Sequence, residues 1–166
     1  AALAAPPAER KAARAMGAQQ QVQREQQKLQ AAYAVSLAEI IQECEAGGFA
    51  DEASAIRKLG DKPETRILRV QTLPNKVQPP IAVDLPEAEK QWRTNLRKLR
   101  TEYAKELYLL SRRALKAGYP SHAWQLVQET ARQDPDHLVA RRILGYQREG
   151  DAWLTPFEAQ MQRKKF

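Results

Sequence analysis

The chain has 166 residues, 43% of them hydrophobic and 28% charged, with seven glycines and a formal charge of +7. That length can bury a real core in one domain or two small ones, and a composition rich in Ala, Gln, Leu, Glu, Lys and Arg points to helix. Regular turn signals of an all-β fold are absent, no apolar run approaches the roughly eighteen residues of a membrane-spanning helix, and the lone Cys44 excludes a disulfide or a cysteine metal cluster within these residues.

Residues 1 to 7 read as a loose start. Ala1 to Ala5 look like the small-residue sequence around a signal-peptidase cut, and Pro6-Pro7 suits the first turn of a helix. From Ala8 to Ala46 only Gly17 interrupts a helical pattern, which predicts one helix of about 58 Å. Its first half is polar: seven glutamines fall within residues 19 to 30, and only Met16, Val22 and Leu29 are large and apolar. Such a helix packs on the other long helix of the chain, pairs with the same arm of a second copy, or frays before about residue 20. Packing of residues 22 to 46 within the chain is the expectation. Cys44 falls on the apolar stripe as a buried, inert thiol.

Gly47-Gly48 ends this helix, and Ala50 to Leu59 forms a short return helix. Asp61 to Glu64 reads as a turn, and Ile67 to Leu73 as extended or irregular chain, too short to type by periodicity. Pro74, Pro79, Pro80 and Pro86 make residues 74–86 a stiff connector that either separates two domains or drapes over the helices. The expected division is therefore 1–73, 74–86 and 87–166.

Asp84-Leu85-Pro86-Glu87 predicts a helix start with Asp84 as cap and Glu87 as its reciprocal partner. The second long helix should run to about Ala117, with Trp92, Leu96, Leu99, Tyr103, Leu107, Leu110 and Ala114 as a seam buried on the first. The opposite face carries Arg93, Arg97, Lys98, Arg100, Lys105, Arg112 and Arg113, and Glu87 to Lys116 holds nine Lys/Arg against four Glu. Gly118 then permits a tight turn, Trp124 to Ala131 returns, and Pro135 should open a third helix over Leu138 to Arg148. After a turn at Glu149-Gly150-Asp151, Trp153-Leu154 should dock on the core. Thr155-Pro156-Phe157-Glu158 is a second capping signal, for a final helix.

Ala104 to His137, with Leu107 and Leu110, then Gly118, Ala123 and Pro135 at these intervals, resembles a tetratricopeptide repeat, the 34-residue helix-turn-helix unit of scaffold proteins. Leu144-Gly145 falls where that family places its Leu-Gly pair in the next unit. Pro120, where an aromatic is usual, and Thr130, at a small-residue site, depart from the pattern. An earlier copy emerges at an offset of seventy residues: Val22, Leu29, Tyr33, Leu37, Ile40, Cys44, Gly48, Phe49, Ala53 and Ile56 fall on Trp92, Leu99, Tyr103, Leu107, Leu110, Ala114, Gly118, Tyr119, Ala123 and Leu126. The resemblance implies an all-α fold: two tetratricopeptide-like hairpins with long first helices, the Pro-rich connector and a C-terminal capping helix.

No Gly-x-Ser-x-Gly elbow, Gly-rich phosphate loop or HExxH pattern is present. His122 and His137 flank one short helix and read as structural. Asp134, Asp136 and Asp151 lack the alternating donors of a calcium loop and read as helix caps. The expected function is a non-catalytic scaffold or assembly subunit, not an enzyme, with no cofactor, no small-molecule substrate, and a protein partner or further copies of itself. Its candidate contacts to acidic partners are Arg97, Arg100, Arg112 and Arg113.

The alternative is a nucleic-acid-binding protein using the basic face of the second long helix, although Trp92 and the tyrosines lie on the buried stripe and are poorly placed for base stacking. A second alternative follows from Asp134 to His137, Leu144 to Tyr146 and Trp153 to Ala159. That run is similar, more loosely, to helical-repeat regions of bacterial envelope proteins that precede a separate, sometimes protease-like, domain, which would make this chain the recognition region of a larger enzyme. With the Ala-rich start, that likeness implies a location outside the cytoplasm; the cytoplasm is the other reading.

Overall fold

A computed structural model describes residues 7–60 and 73–164. The expected turn at 61–64 and extended segment at 67–72 lie outside the described residues. The described elements are α1 (Pro7–Ala46), α2 (Ala50–Gly60), α3 (Glu87–Lys116), α4 (Pro120–Gln133), α5 (Leu138–Ile143), β1 (Gln147–Glu149), β2 (Ala152–Leu154) and α6 (Pro156–Arg163). The fold is essentially all-α, as the composition implies; its described sheet is a single antiparallel hairpin of β1 and β2.

Two helical hairpins, α1–α2 and α3–α4, repeat one another bond for bond. At the first corner Gly48 N–H donates to Glu45 O (3.1 Å), Phe49 N–H to Cys44 O (2.8 Å) and Ala53 N–H to Phe49 O (3.0 Å). Seventy residues on, Gly118 N–H donates to Leu115 O, Tyr119 N–H to Ala114 O and Ala123 N–H to Tyr119 O, each at 3.0 Å. Both corners are Schellman closures, which satisfy the last helical carbonyls and need a left-handed residue. Gly48 (φ 84°) and Gly118 (φ 90°) supply it. A third closure follows α5, where Gly145 (φ 89°) and Tyr146 donate to Arg142 O and Arg141 O.

The seam is buried as its spacing predicts. Trp92, Tyr103, Leu107, Leu110 and Ala114 of α3 share one core with Val22, Tyr33, Leu37, Ile40 and Cys44 of α1, and Leu29, Leu96 and Leu99 pack partly buried against it. The long helices run antiparallel. Glu25 pairs with Arg113, Tyr33 stacks on Tyr103, Glu43 accepts from Asn95 Nδ2 and Phe49 leans on Trp92, so rising numbers on α1 meet falling numbers on α3. Tyr33 and Tyr103 are equivalent residues of the two copies, and their rings lie 4.0 Å apart and 7° from parallel. Equivalent residues that touch across antiparallel elements mark an approximate two-fold axis. The polar first half of α1 does not stand alone: beyond α3 it reaches α4, where Gln19 and Gln26 bracket His122.

Three local expectations differ from the structure. Helix α3 starts at Glu87 behind Pro86, with no side-chain cap, so Asp84 and Glu87 do not form the expected capping box. Helix α5 starts at Leu138, not in the turn of Pro135; His137 caps it, its Nδ1 accepting from Ala140 N–H. The helix expected to reach Arg148 ends at Ile143, because Gly145 closes it and the chain then pairs with itself in the β1–β2 hairpin around Gly150 (φ 56°). The final capping box does form: Thr155 Oγ1 accepts from Glu158 N–H, and Glu158 Oε2 accepts from Thr155 N–H.

A Cβ placed on Gly48 or Gly118 meets nothing within 4 Å, so substitution there tests backbone conformation alone. Gly48→Ala and Gly118→Ala should each lower stability by roughly 1–2 kcal/mol, the cost of a left-handed non-glycine residue. Urea denaturation reads the loss; unchanged stability in either variant would contradict the left-handed corner.

Candidate docking groove

The connector drapes over the helices. Arg141, fully buried, donates from Nη2 to Pro74 O (2.7 Å) and from Nε to Pro135 O (2.6 Å), with its guanidinium 4.6 Å from the Tyr146 ring centre and 5.0 Å from that of Trp153. Asp136 accepts from Trp153 Nε1 (2.9 Å) and from the Gln78 N–H (2.8 Å). Trp153 N–H donates to Asn75 O, and Val77 N–H to Asp151 O. Residues 74–78 are thereby tied to the α4–α5 turn and to the β1–β2 hairpin. Much of the run from Asp134 to Ala159 has a structural part: Asp136, His137, Gly145, Tyr146, Trp153, Thr155 and Glu158 all hold the C-terminal part in shape.

So anchored, residues 78–82 and Leu85 run beside the first part of α3 and leave a groove of about 390 Å³ between them. Trp92, Arg93, Leu96, Arg97 and Arg100 line it from α3, Ile81 from the connector, and Gln133 and Asp134 from the end of α4. Pro79 and Pro80 have no N–H to give, which keeps this stretch from pairing as a strand. Arg97 donates from Nη2 to Pro79 O (2.9 Å) across the groove. Arg93 lies over the Trp92 ring at 4.8 Å and pairs with Glu89.

Beneath the groove is a buried polar network centred on the two-fold contact. Tyr33 Oη donates to Gln133 Oε1 (2.9 Å), Gln133 Nε2 donates to Glu129 Oε1 (2.8 Å), and Arg132 holds the same carboxylate through two nitrogens. Arg100 Nη2 donates to Arg132 O (2.7 Å). Burial pushes the Tyr33 and Tyr103 phenols up, so both remain neutral, and burial holds the Arg100 guanidinium below its ordinary range. Two N–H groups belonging to residues of the groove are buried with no acceptor among the described residues: Trp92 Nε1 and Arg100 Nε. A buried donor in that condition is costly until something accepts from it.

The four arginines expected as partner contacts do not form one patch. Arg97 and Arg100 line the groove, Arg113 pairs with Glu25 near the other end of α3, and Arg112 is exposed, about four turns from Arg97. Trp92 was legible only as a core residue, because periodicity reports the buried side of a residue and not the cavity beside it. Glu25, Leu109 and Arg113 belong to a second, open depression of about 340 Å³ between α1 and α3. Among the described residues no three His, Cys, Asp or Glu side chains converge as a metal site would require, and no helix is long and apolar enough to cross a membrane.

His122 sits between two glutamine amides, with Gln19 Nε2 3.0 Å from Nδ1 and Gln26 Oε1 2.8 Å from Nε2. Those bonds suit a neutral ring protonated on Nε2. Comparison with protein-family models, with curated proteins and with solved structures finds no match to this chain.

Burial lowers the His122 pKa below its ordinary 6.5, so the folded state binds its proton less well than the unfolded state does. Stability should be full above pH about 6.5 and fall as the pH drops through that value and the lower folded one. Denaturation midpoints compared between pH 7.5 and 5 should fall further for the native chain than for His122→Gln; equal losses would contradict it. Arg141→Met should cost roughly 2–4 kcal/mol by leaving the Pro74 and Pro135 carbonyls without their charged donor. Calorimetry measures it, and a neutral substitution would show that the connector is held by other means.

Proposed function

We propose that the chain is a non-catalytic helical-repeat scaffold or assembly subunit that works by binding another protein. The observation that carries this reading is the groove: a preformed, basic and partly apolar channel beside a duplicated helical hairpin. The histidines support it, since His122 bridges Gln19 and Gln26 and His137 caps α5. The likeness of Ala104 to His137 to a tetratricopeptide unit points the same way, because helical repeats bind partners through side-chain surfaces. Nucleic-acid binding is the weaker reading: Trp92 and Tyr103 of α3 are buried and poorly placed for base stacking, and Arg113 is paired with Glu25.

Mass measurement in solution together with crosslinking in the native host tests the proposal. A stable complex with another protein, or with further copies of the chain, is expected. A monomer that crosslinks to no protein would overturn it. Duplex and single-stranded oligonucleotides should bind only at low salt, losing their affinity steeply between about 50 and 200 mM. Sub-micromolar binding that survives physiological salt would favour the nucleic-acid reading instead.

A further inference from the structure

The two copies differ where the groove lies. Moving back seventy residues from Arg93, Arg97 and Arg100 gives Gln23, Gln27 and Gln30; Trp92 and Leu96 become Val22 and Gln26. In the first copy this face is neutral and Gln26 is held by His122 of α4. In the second copy three guanidiniums, an indole and a leucine replace it, and all five line the groove. The fold needs the seam residues in both copies, and apart from Leu96, whose counterpart is Gln26, those match in kind. The helix itself does not need three arginines here, since glutamines stand at the equivalent positions of α1; Arg97 and Arg100 each direct one nitrogen to a carbonyl, Pro79 O and Arg132 O.

The groove is richer in positive charge than its own carboxylates balance. Asp134 lines it, but its Oδ1 accepts from the Asp136 N–H; Arg97 and Arg100 form no ion pair among the described residues. Trp92 is 5% exposed, and its Nε1 is buried without an acceptor among the described residues, as is Arg100 Nε beside it in the groove lining. Apolar surface from Ile81, Leu85 and Leu96 lies among these donors. From Trp92 to Thr101 the α3 wall is about 14 Å long at 1.5 Å per residue, the span of about four residues of extended chain.

We infer that this groove binds an extended acidic segment of a partner protein, with an Asp or Glu carboxylate received by Arg97 and Arg100 and a neighbouring aliphatic side chain seated on Leu96 and Ile81. The inference rests on the reading of the chain as a protein-binding scaffold and names the chemistry of its ligand. A carboxylate is the acceptor that two guanidiniums one turn apart recognise best, and the local shift of the Trp92 indole reports its arrival. An aliphatic neighbour separates this ligand from a free anion, which would leave the apolar part of the groove in water.

The test selects from a displayed library of random heptapeptides on the full chain, then titrates the selected peptides into ¹⁵N-labelled protein. The Trp92 indole resonance is assigned by its loss in Trp92→Phe. Selected peptides should carry Asp or Glu beside Leu, Ile or Val, and should move that resonance. They should bind Arg97→Glu at least tenfold more weakly and Arg112→Glu within twofold of the native chain. Replacing their acids by Asn or Gln should cost tenfold or more, with helix content of every variant unchanged by circular dichroism. Neutral or basic selected peptides, no selected peptide at all, binding that leaves the Trp92 indole unmoved, or an unaffected Arg97→Glu would each overturn the inference. So would an oligonucleotide or inorganic phosphate that moves the same resonance more tightly than the selected peptides do. If native complexes seen by mass measurement persist in Arg97→Glu while the peptides fail, the groove assignment falls and the scaffold reading stands; if the native chain forms no complex, the scaffold reading falls by itself.

Discussion

Tyr33 lies flat on Tyr103, and the arrangement of the two hairpins depends on that contact. Each ring is the other's counterpart at an offset of seventy residues, so the stack can form only where the two copies cross at equivalent heights. Offset stacking is worth about 0.5–1.5 kcal/mol beyond the area it buries, which is modest in energy. Its greater effect is on register. A slip of α3 along α1 by one turn would separate the rings, place Tyr33 Oη away from Gln133 and remove the end contacts of Glu25 with Arg113 and Phe49 with Trp92 together. Neither copy has a closed core by itself, because the apolar face of each long helix is covered by the other.

From the two-fold contact the structure becomes progressively less symmetric. Gln133 and Arg132 tie the end of α4 to Leu59 O at the end of α2, so the return helices also meet near the axis. Beyond α4 the chain adds what the first copy is not seen to have: a short helix, a hairpin and a capped final helix gathered around Arg141. Two carbonyls and two aromatic faces replace most of the water of that guanidinium, while its Nη1 has no acceptor among the described residues. Its position decides where the connector can run, since Pro74 is one of the carbonyls it holds. The groove is therefore a product of the C-terminal cluster as much as of α3: Arg141, Asp136 and the backbone pairing of Asn75 to Val77 with the β1–β2 hairpin together hold residues 74–78 in place as one end of its outer wall.

Much of this was legible in the sequence, for reasons that differ by element. The seam of α3 was legible because seven apolar residues at intervals of three or four have one helical solution, and the corners because Gly48-Phe49 and Gly118-Tyr119 combine a left-handed residue with an aromatic in the next position. The Thr155 capping box was legible because it is local, needing only Thr, Pro and Glu at fixed distances. The Asp84 box failed on the same logic because Pro86 takes the cap position before Glu87, leaving Asp84 two residues further out. The hairpin over Gln147–Leu154 was hidden: strands of three residues have no periodicity to detect, and the pairing of Ala152 with Lys76 joins residues far apart in sequence. The groove was least legible of all. Its walls come from two segments whose juxtaposition is set by Arg141, which reads in sequence as one more surface cation.

The contrast between the copies gives a physical reason to look at this face rather than any other. A duplicated hairpin begins with two equal surfaces, and packing constrains the seam of both in the same way: Leu37 and Leu107, Ile40 and Leu110, Ala53 and Ala123 remain small or aliphatic in each. The surfaces beside the seam are not constrained together, because in the first copy that face meets α4 through Gln26 and His122, whereas in the second it meets the connector and a cavity. Glutamines suffice where the neighbour is an imidazole. Arginines over a cavity cost desolvation, as the lowered proton affinity of Arg100 records, and leave a buried N–H without an acceptor. The three arginines are therefore the part of this face that the packing shared by the two copies does not account for.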